Sequence, residues 1–246
     1  MPDCTDESHY LYTQDLTKAQ WAWEFLRRNP DYQKDYQWFI TQWHALEKDY
    51  GQSPDMDYQA WKQDPRSYKI IDINSEQDGN CAVSDDKLLI ECWMGYKWGF
   101  FQFPQSPGLQ ATELPNGTNW RLLDSNYYMA NKNVPDNPYK NNRSDLMLSV
   151  DFDLTKPLKE QLEQVKQKAI IAQRRLRKKG RLQLFTIEGK KALWMSCLRL
   201  LDAQSQQISE INQVSAAFNS DDIKLIYCEA DYYIHNYLQI LTLMEK

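Results

Sequence analysis

The chain has 246 residues, of which 42% are hydrophobic and 13% aromatic. This content is sufficient for a hydrophobic core and excludes disorder throughout. There are only 8 glycines, and neither GxxxxGK[ST] nor GxGxxG occurs, which excludes the two commonest glycine-rich nucleotide-binding loops. The net charge of −5, taken over the whole chain, argues against a nucleic-acid partner.

The first part of the chain predicts two helices in succession. Residues 17–29 have apolar residues on one helical face and are capped by Asp15 or Thr17. Residues 31–50 repeat aromatic and aliphatic residues at helical spacing, and Gly51 supplies the stop. We therefore expect an aromatic-rich helical hairpin.

The middle of the chain predicts β structure. A short helix or turn is expected first, at residues 56–64. Four apolar runs then predict strands, at residues 68–73, 87–92, 96–103 and 145–152. The second and third runs are separated by a short turn containing Gly95 and are expected to form a hairpin. Between the third and fourth runs, residues 104–144 contain five prolines and predict an irregular connection, with a turn of helix near residues 122–129.

The last third predicts helices. Residues 158–179 form an amphipathic pattern of about six turns that ends at Gly180, and residues 181–187 predict a strand or an extended link. Three further helices are expected at residues 190–203, 208–218 and 221–244, with the lengths of a helix-turn-helix unit.

These patterns predict an α+β protein with an N-terminal helical hairpin and a small antiparallel β region in the middle. A long basic helix and a C-terminal helical, helix-turn-helix-like bundle complete the expected fold. We expect two domains, an aromatic-rich α+β domain at residues 1–155 and a basic helix with a helical domain at residues 156–246.

The charge is unevenly distributed. Residues 1–155 hold 14 Lys and Arg against 24 Asp and Glu, a net charge of −10. Residues 156–191 hold 12 against 3, a net charge of +9, and residues 202–246 have a net charge of −5. We expect any acidic partner to contact the basic block.

The end of the predicted helix at residues 158–179 is the strongest functional signal. Six basic residues occur among the eight residues 174–181, more than are needed to complement the helix dipole. Contacts between such residues and phosphates release counterions and make binding sensitive to salt. The interpretation as a solvated helix end stays open beside a contact with nucleic acid or an acidic protein. The candidate nucleic-acid-binding residues are Lys166, Lys168, Arg174, Arg175, Arg177, Lys178, Lys179 and Arg181.

The tail is a poor candidate for reading DNA. A recognition helix normally presents Arg, Lys, Asn or Gln to base edges, whereas residues 221–231 are net acidic and would repel phosphate. We expect the tail to form a packing or dimer-forming helical bundle.

Other chemistry has little support in the sequence. The three histidines lie in different segments without metal-ligand spacing, and the five cysteines contain no CxxC pair. There is no GxSxG motif or recognisable acid/base pair. We therefore expect no metal, no cofactor, no enzyme activity, reduced thiols and no disulfide framework. The polar first residues and the absence of a long apolar stretch predict a cytoplasmic protein without a membrane partner.

Residues 21–36, WAWEFLRRNPDYQKDY, resemble the proteobacterial transcriptional-regulator-like domain family, whose signature is WAWEFLRRNPxYxxDY. Residues 152–162 are similar to the FDLxxPLxxQL segment of the same proteins. Residues 198–203 with 208–211 are more weakly similar to the start of their helix-turn-helix-like domain. The resemblance implies a regulator of integrative or conjugative elements with a DNA-binding C-terminal region. The last helix of that family is rich in arginine, unlike the acidic tail here.

Two functions follow from these patterns. The first is a non-enzymatic DNA-binding transcriptional regulator associated with a mobile genetic element. The alternative is an interaction protein that binds and inhibits a host protein or ribonucleoprotein defence complex. A homodimer is compatible with both functions.

Overall fold

The structure of the chain is a computed structural model. The described residues are 2–52, 54–70, 82–84, 87–101, 103–114, 119–120, 148, 150–180, 186–206 and 220–244. The predicted helices at 122–129 and 208–218 and the link at 181–185 lie outside them.

The predicted helical pair is confirmed at the N-terminus. After a 3₁₀ helix at Glu7–Asp15, helix α1 spans Lys18–Leu26 and helix α2 spans Pro30–Tyr50. Thr17 caps α1, since its hydroxyl accepts a hydrogen bond from the Gln20 backbone while the Gln20 side chain accepts one from the Thr17 backbone.

The second helix has equally clear ends. The Asn29 side chain accepts hydrogen bonds from the backbone N–H groups of Asp31 and Tyr32. Gly51 ends α2 at φ 86°, a backbone conformation that favours glycine. Local capping residues therefore fix both helices at the positions that the sequence predicts.

A small antiparallel sheet follows the short helix α3 (Tyr58–Gln63). Its strands are β1 (Tyr68–Ile70), β2 (Ala82–Ser84) and β3 (Lys87–Leu89), in the order β1-β3-β2. Lys69 of β1 lies opposite Leu88 of β3. The predicted α+β class and the small antiparallel region are confirmed.

The predicted hairpin at residues 87–103 is wrong. The chain leaves β3 and forms helix α4 (Ile90–Trp98). Ile90, Met94 and Trp98 recur every four residues, and all three are buried, so helical burial prevails over the apolar run that suggested strands. Gly99, at φ 74°, ends the helix in the left-handed conformation.

The strand predicted at residues 145–152 is also wrong for the part that is described. Leu148 and residues 150–153 have no strand pairing. The apolar side chains Leu148, Val150 and Phe152 alternate along the chain, but each is exposed. Alternation alone does not form a strand where no neighbouring strand is available for pairing.

Helix α5 (Leu158–Lys178) confirms the predicted long basic helix. Helix α6 (Ile187–Ser205) follows, and Thr186 caps it through the Gly189 backbone. Helix α7 (Ser220–Asn236) ends earlier than predicted and continues as a 3₁₀ helix at Tyr237–Thr242. The middle helix of the helix-turn-helix-like unit is undescribed, so that unit stays a prediction.

The core is built around α1. Every residue from Trp21 to Leu26 is buried, and α1 contacts α6, α7 and the C-terminal 3₁₀ helix. Trp194 of α6 lies between Trp21 and Tyr233, with ring centroids 5.2 and 5.1 Å away. The C-terminal helices therefore share a core with the N-terminal helices, while the domain boundary at residue 155 stays a prediction.

Two sequence expectations concern cysteines and membranes. Cys4, Cys197 and Cys228 are thiols outside any disulfide, but Cys92 is disulfide-bonded, which corrects the expectation that the thiols are reduced. Among the described helices, none combines the length and the apolar character needed to cross a membrane.

Candidate nucleic-acid interface

Helix α5 presents its side chains to solvent. None of its 21 residues is buried. Most helices of this size in a globular protein bury one face, so α5 is unusual in the fold. Its stability depends on its helix-forming composition more than on packing.

The structure places seven of the eight predicted site residues on this one element. Lys166 and Lys168 lie in its middle, four more lie in its last two turns, and Lys179 is its C-terminal cap. Arg181 lies outside the described residues. The exposed residues are Lys166, Lys168, Arg174, Arg175, Arg177, Lys178 and Lys179.

Charge is concentrated at the C-terminal end of α5. Successive residues lie about 100° apart around a helix, so Arg174, Arg175, Arg177, Lys178 and Lys179 point in several directions around the axis. They lie within about 8 Å along the axis, at 1.5 Å per residue. We call these five residues the basic cluster.

The basic cluster has no acidic partner among the described residues. Further towards the N-terminus, Lys166 Nζ lies 3.4 Å from Glu163 Oε2, and Lys156 Nζ lies 2.8 Å from Asp153 Oδ2. The cluster complements the partial negative charge at the helix C-terminus. Most of its positive charge remains available to an anion from solution.

A second group of charges, which sequence reasoning did not find, lies inside the protein. Glu24 of α1 is completely buried. Its carboxylate accepts hydrogen bonds from Arg27 Nε at 2.8 Å, Arg28 Nη1 at 2.5 Å and the Ala111 backbone at 2.7 Å. Tyr12 adds a fourth hydrogen bond at 2.8 Å. Every one of these partners lies within a part of the chain that is far from α5 in sequence.

These contacts determine the ionisation of the buried carboxyl. Burial alone would raise the pKa of Glu24, but the adjacent Arg28 and Arg27 lower it below its ordinary value. Burial also raises the pKa of Tyr12 to about 12, with the Glu24 charge adding to the effect. Glu24 is thus ionised and fully paired, as a structural charge should be. The charged residues of the WAWEFLRR segment therefore organise the core and are not an external binding surface.

A cavity of about 720 Å³ opens near this network, between the start of α2, the end of α6 and α7. Its ionisable lining residues are Arg28, Tyr227, Cys228, Asp231 and His235, and Arg28 is already paired inside the protein. In the described ranges, no group of three or more His, Cys, Asp or Glu residues is placed to hold a metal ion. The exposed cations of α5 are therefore the clearest binding feature of the described structure.

The chain was compared with curated proteins, solved structures and protein-family models. No curated protein and no solved structure matches it. One family model matches a segment at the N-terminus, which is about a quarter of the chain and contains α1, α2 and most of α3. This match supports the resemblance seen in residues 21–36. Residues 3–61 are similar to the proteobacterial transcriptional regulator-like domain.

Proposed function

We propose that the protein is a non-enzymatic, cytoplasmic transcriptional regulator of a mobile genetic element that binds DNA through α5. The observation that carries this proposal is the basic cluster, five exposed cations without an acidic partner among the described residues, on a helix that buries none of its side chains. The similarity of residues 3–61 to a regulator-like domain supports a regulatory role.

The chemistry of the helix suits the phosphate backbone. Arg binds two phosphate oxygens with its planar guanidinium, and Lys acts as a mobile point charge. Because the cluster faces several directions, it can contact phosphates on both sides of a groove. These contacts supply affinity and position, while sequence is read by other groups.

Polar side chains for base contacts are present on the same helix. Gln164 and Gln173 are exposed, and a glutamine amide can form two hydrogen bonds with the adenine edge in the major groove. The acidic tail has no part in this contact, because α7 packs in the core against α1 and α6. Regulation then follows from occupancy of a DNA site, without a chemical step.

A gel-shift or filter-binding titration of the full chain with duplex DNA tests the proposal. With about six phosphate contacts, we expect affinity to fall about 10³-fold between 50 and 200 mM salt. Replacing Arg174, Arg175, Arg177 and Lys178 together by Ala should abolish binding, and Ala should preserve the helix. A flat salt response at measurable affinity would contradict the proposal.

A protein-binding role is the second candidate, with a host protein or ribonucleoprotein as its target. The observation that favours it is the exposed apolar surface before α5 and in its first turns, including Leu154 at 82% and Leu162 at 54% exposure. Exposed apolar patches mark protein–protein interaction sites. A stable partner retained from nuclease-treated host extract, together with no DNA binding by the purified protein, would favour this candidate over the first.

A further inference from the structure

Helix α5 has an apolar stripe whose side chains are exposed or half-buried in the described structure. The six residues of the stripe follow one another at intervals of four, three, four, three and four positions, which is the a/d spacing of a coiled coil. Leu158 and Leu162 are 47% and 54% exposed, and none of the six is buried. The stripe consists of Leu158, Leu162, Val165, Ala169, Ala172 and Leu176.

We propose that α5 pairs with α5 of a second copy of the chain as an antiparallel coiled coil. This dimer does not depend on the proposed DNA-binding function. The stripe is complementary to itself when one helix is reversed, since every a position then meets a d position of the other helix. The α5 helix of a second copy is therefore a binding partner whose apolar stripe matches this one.

The sizes of the facing side chains support this alignment. Leu158 of one copy lies opposite Leu176 of the other, Leu162 opposite Ala172, and Val165 opposite Ala169. A large residue therefore meets a small one in four of the six layers, which lets the two helices approach closely. In the parallel alignment each residue meets itself, and the two adjacent alanine layers would leave a gap in the middle.

Charge also decides between the two orientations. A parallel pair would bring two basic clusters together at one end, with five cations from each chain. An antiparallel pair separates their centres by about 30 Å, given a rise of 1.5 Å per residue. This is more than three Debye lengths at physiological salt, so the repulsion between clusters is largely screened.

The antiparallel pair has its own electrostatic cost, which is smaller. Near the two-fold axis, Lys166 faces Lys166 of the second copy, and Lys168 faces Lys168. All four side chains are exposed and flexible, and Lys166 has Glu163 as a neighbour at 3.4 Å. The repulsion within these two exposed lysine pairs is screened by solvent. It therefore opposes the antiparallel dimer less than the two adjacent basic clusters would oppose a parallel dimer.

The amount of apolar surface sets the expected strength. Three heptads bury a small interface. Four exposed apolar residues before the helix, Leu148, Val150, Phe152 and Leu154, add apolar surface at its N-terminal end. We expect a dimer that dissociates at about micromolar concentration.

One consequence rests on the proposed function. In the antiparallel dimer the basic clusters lie about 30 Å apart, close to the roughly 34 Å of one turn of B-DNA. Both clusters can therefore contact the same face of a duplex, one turn apart. Single copies would lack this spacing.

Sedimentation equilibrium of the full chain, without DNA, tests the dimer. We expect a monomer–dimer equilibrium for the wild type and a monomer for the double variant Leu162→Glu/Val165→Glu. The matched control Gln164→Glu/Gln167→Glu adds the same charge outside the stripe and should remain dimeric. A wild type that stays monomeric at about 100 μM, or a control that dissociates as fully as the stripe variant, would overturn the proposal.

Disulfide formation tests the orientation in the same preparation. The exposed thiol of Cys228 is first replaced by Ser, and chains with Leu158→Cys are mixed with chains with Leu176→Cys. Oxidation should link the two different chains, while neither variant alone should cross-link. Cross-linking of Leu158→Cys with itself would contradict the antiparallel arrangement. Because no DNA is present, these results are independent of whether the proposed function is correct.

Discussion

Arg28, two residues after the end of α1, donates two hydrogen bonds to Asp202 of α6, from Nε to Oδ1 at 2.7 Å and from Nη2 to Oδ2 at 2.8 Å. Both side chains are almost completely buried. Tyr10 donates a further hydrogen bond to Asp202 at 2.7 Å. The contact connects the segment that is similar to a regulator-like domain with a helix 174 residues further along the chain.

Replacing Asp202 by Ala should destabilise the protein by about 3–5 kcal/mol, because the Arg28 guanidinium would remain buried without its main counter-charge. Urea unfolding followed by circular dichroism measures this change. The control is Asp49→Ala, which removes an exposed partner of Arg66 and should cost at most about 1 kcal/mol. Equal losses for the two variants would show that the Arg28–Asp202 pair is not a structural centre of the fold.

Glu91 should make stability depend on pH. Burial raises the pKa of this carboxyl to about 7, although the Lys62 charge acts in the opposite direction. The folded protein therefore holds a proton that the unfolded chain releases near its ordinary pKa of 4.5. The contribution of Glu91 to stability thus falls as pH rises from about 4.5 to 7, and is constant above that range.

The variant Glu91→Gln isolates this effect, because glutamine resembles the protonated acid. We expect the variant to equal the wild type near pH 4 and to exceed it at pH 8 by up to about 3 kcal/mol. Unfolding of both proteins at the two pH values measures the difference. A difference that does not change with pH would mean that Glu91 titrates normally in the folded protein.

Gly99 should be sensitive to substitution. Its φ of 74° ends α4, so Gly99→Ala should cost about 1 kcal/mol or more through backbone strain. Gly180 has a similar φ of 65°, but it follows α5, which buries no side chain. Gly180→Ala should therefore reduce helix content at the end of α5 with little effect on the thermal midpoint. Thermal melts and amide hydrogen exchange separate these outcomes. Equal shifts of the thermal midpoint for Gly99→Ala and Gly180→Ala would show that the end of α5 contributes to the stability of the fold as much as the end of α4 does.

Local signals in the sequence were sufficient for several elements. Thr17, Asn29 and Gly51 fix helix ends through contacts with their immediate neighbours, so their positions follow from short patterns. The exposed cations of α5 were also predictable, since charge and helical periodicity need no tertiary information. The match of residues 3–61 supports the family resemblance, while the mobile-element context stays a prediction.

Other features depend on distant partners and were not predictable. The apolar run at residues 87–98 fits both a strand and a buried helix, and the choice of α4 depends on the side chains that cover it. The ion pair between Arg28 and Asp202 joins residues 174 positions apart, so no local pattern indicates it. The sequence predicts WAWEFLRR as part of an aromatic-rich helical hairpin, but the pairing of its buried charges with Asp202 and the Ala111 backbone depends on residues far along the chain.

The salt dependence of DNA binding by two matched double variants tests the central claim most directly. Arg174→Ala/Arg175→Ala removes two charges from α5, while Lys34→Ala/Lys48→Ala removes two exposed charges from α2. Fluorescence anisotropy with a labelled duplex gives the slope of log K against log salt for each protein. We expect the slope to fall by about 2 for the α5 variant and to be unchanged for the α2 variant. Identical slopes for both variants and the wild type would show that α5 does not contact the phosphates.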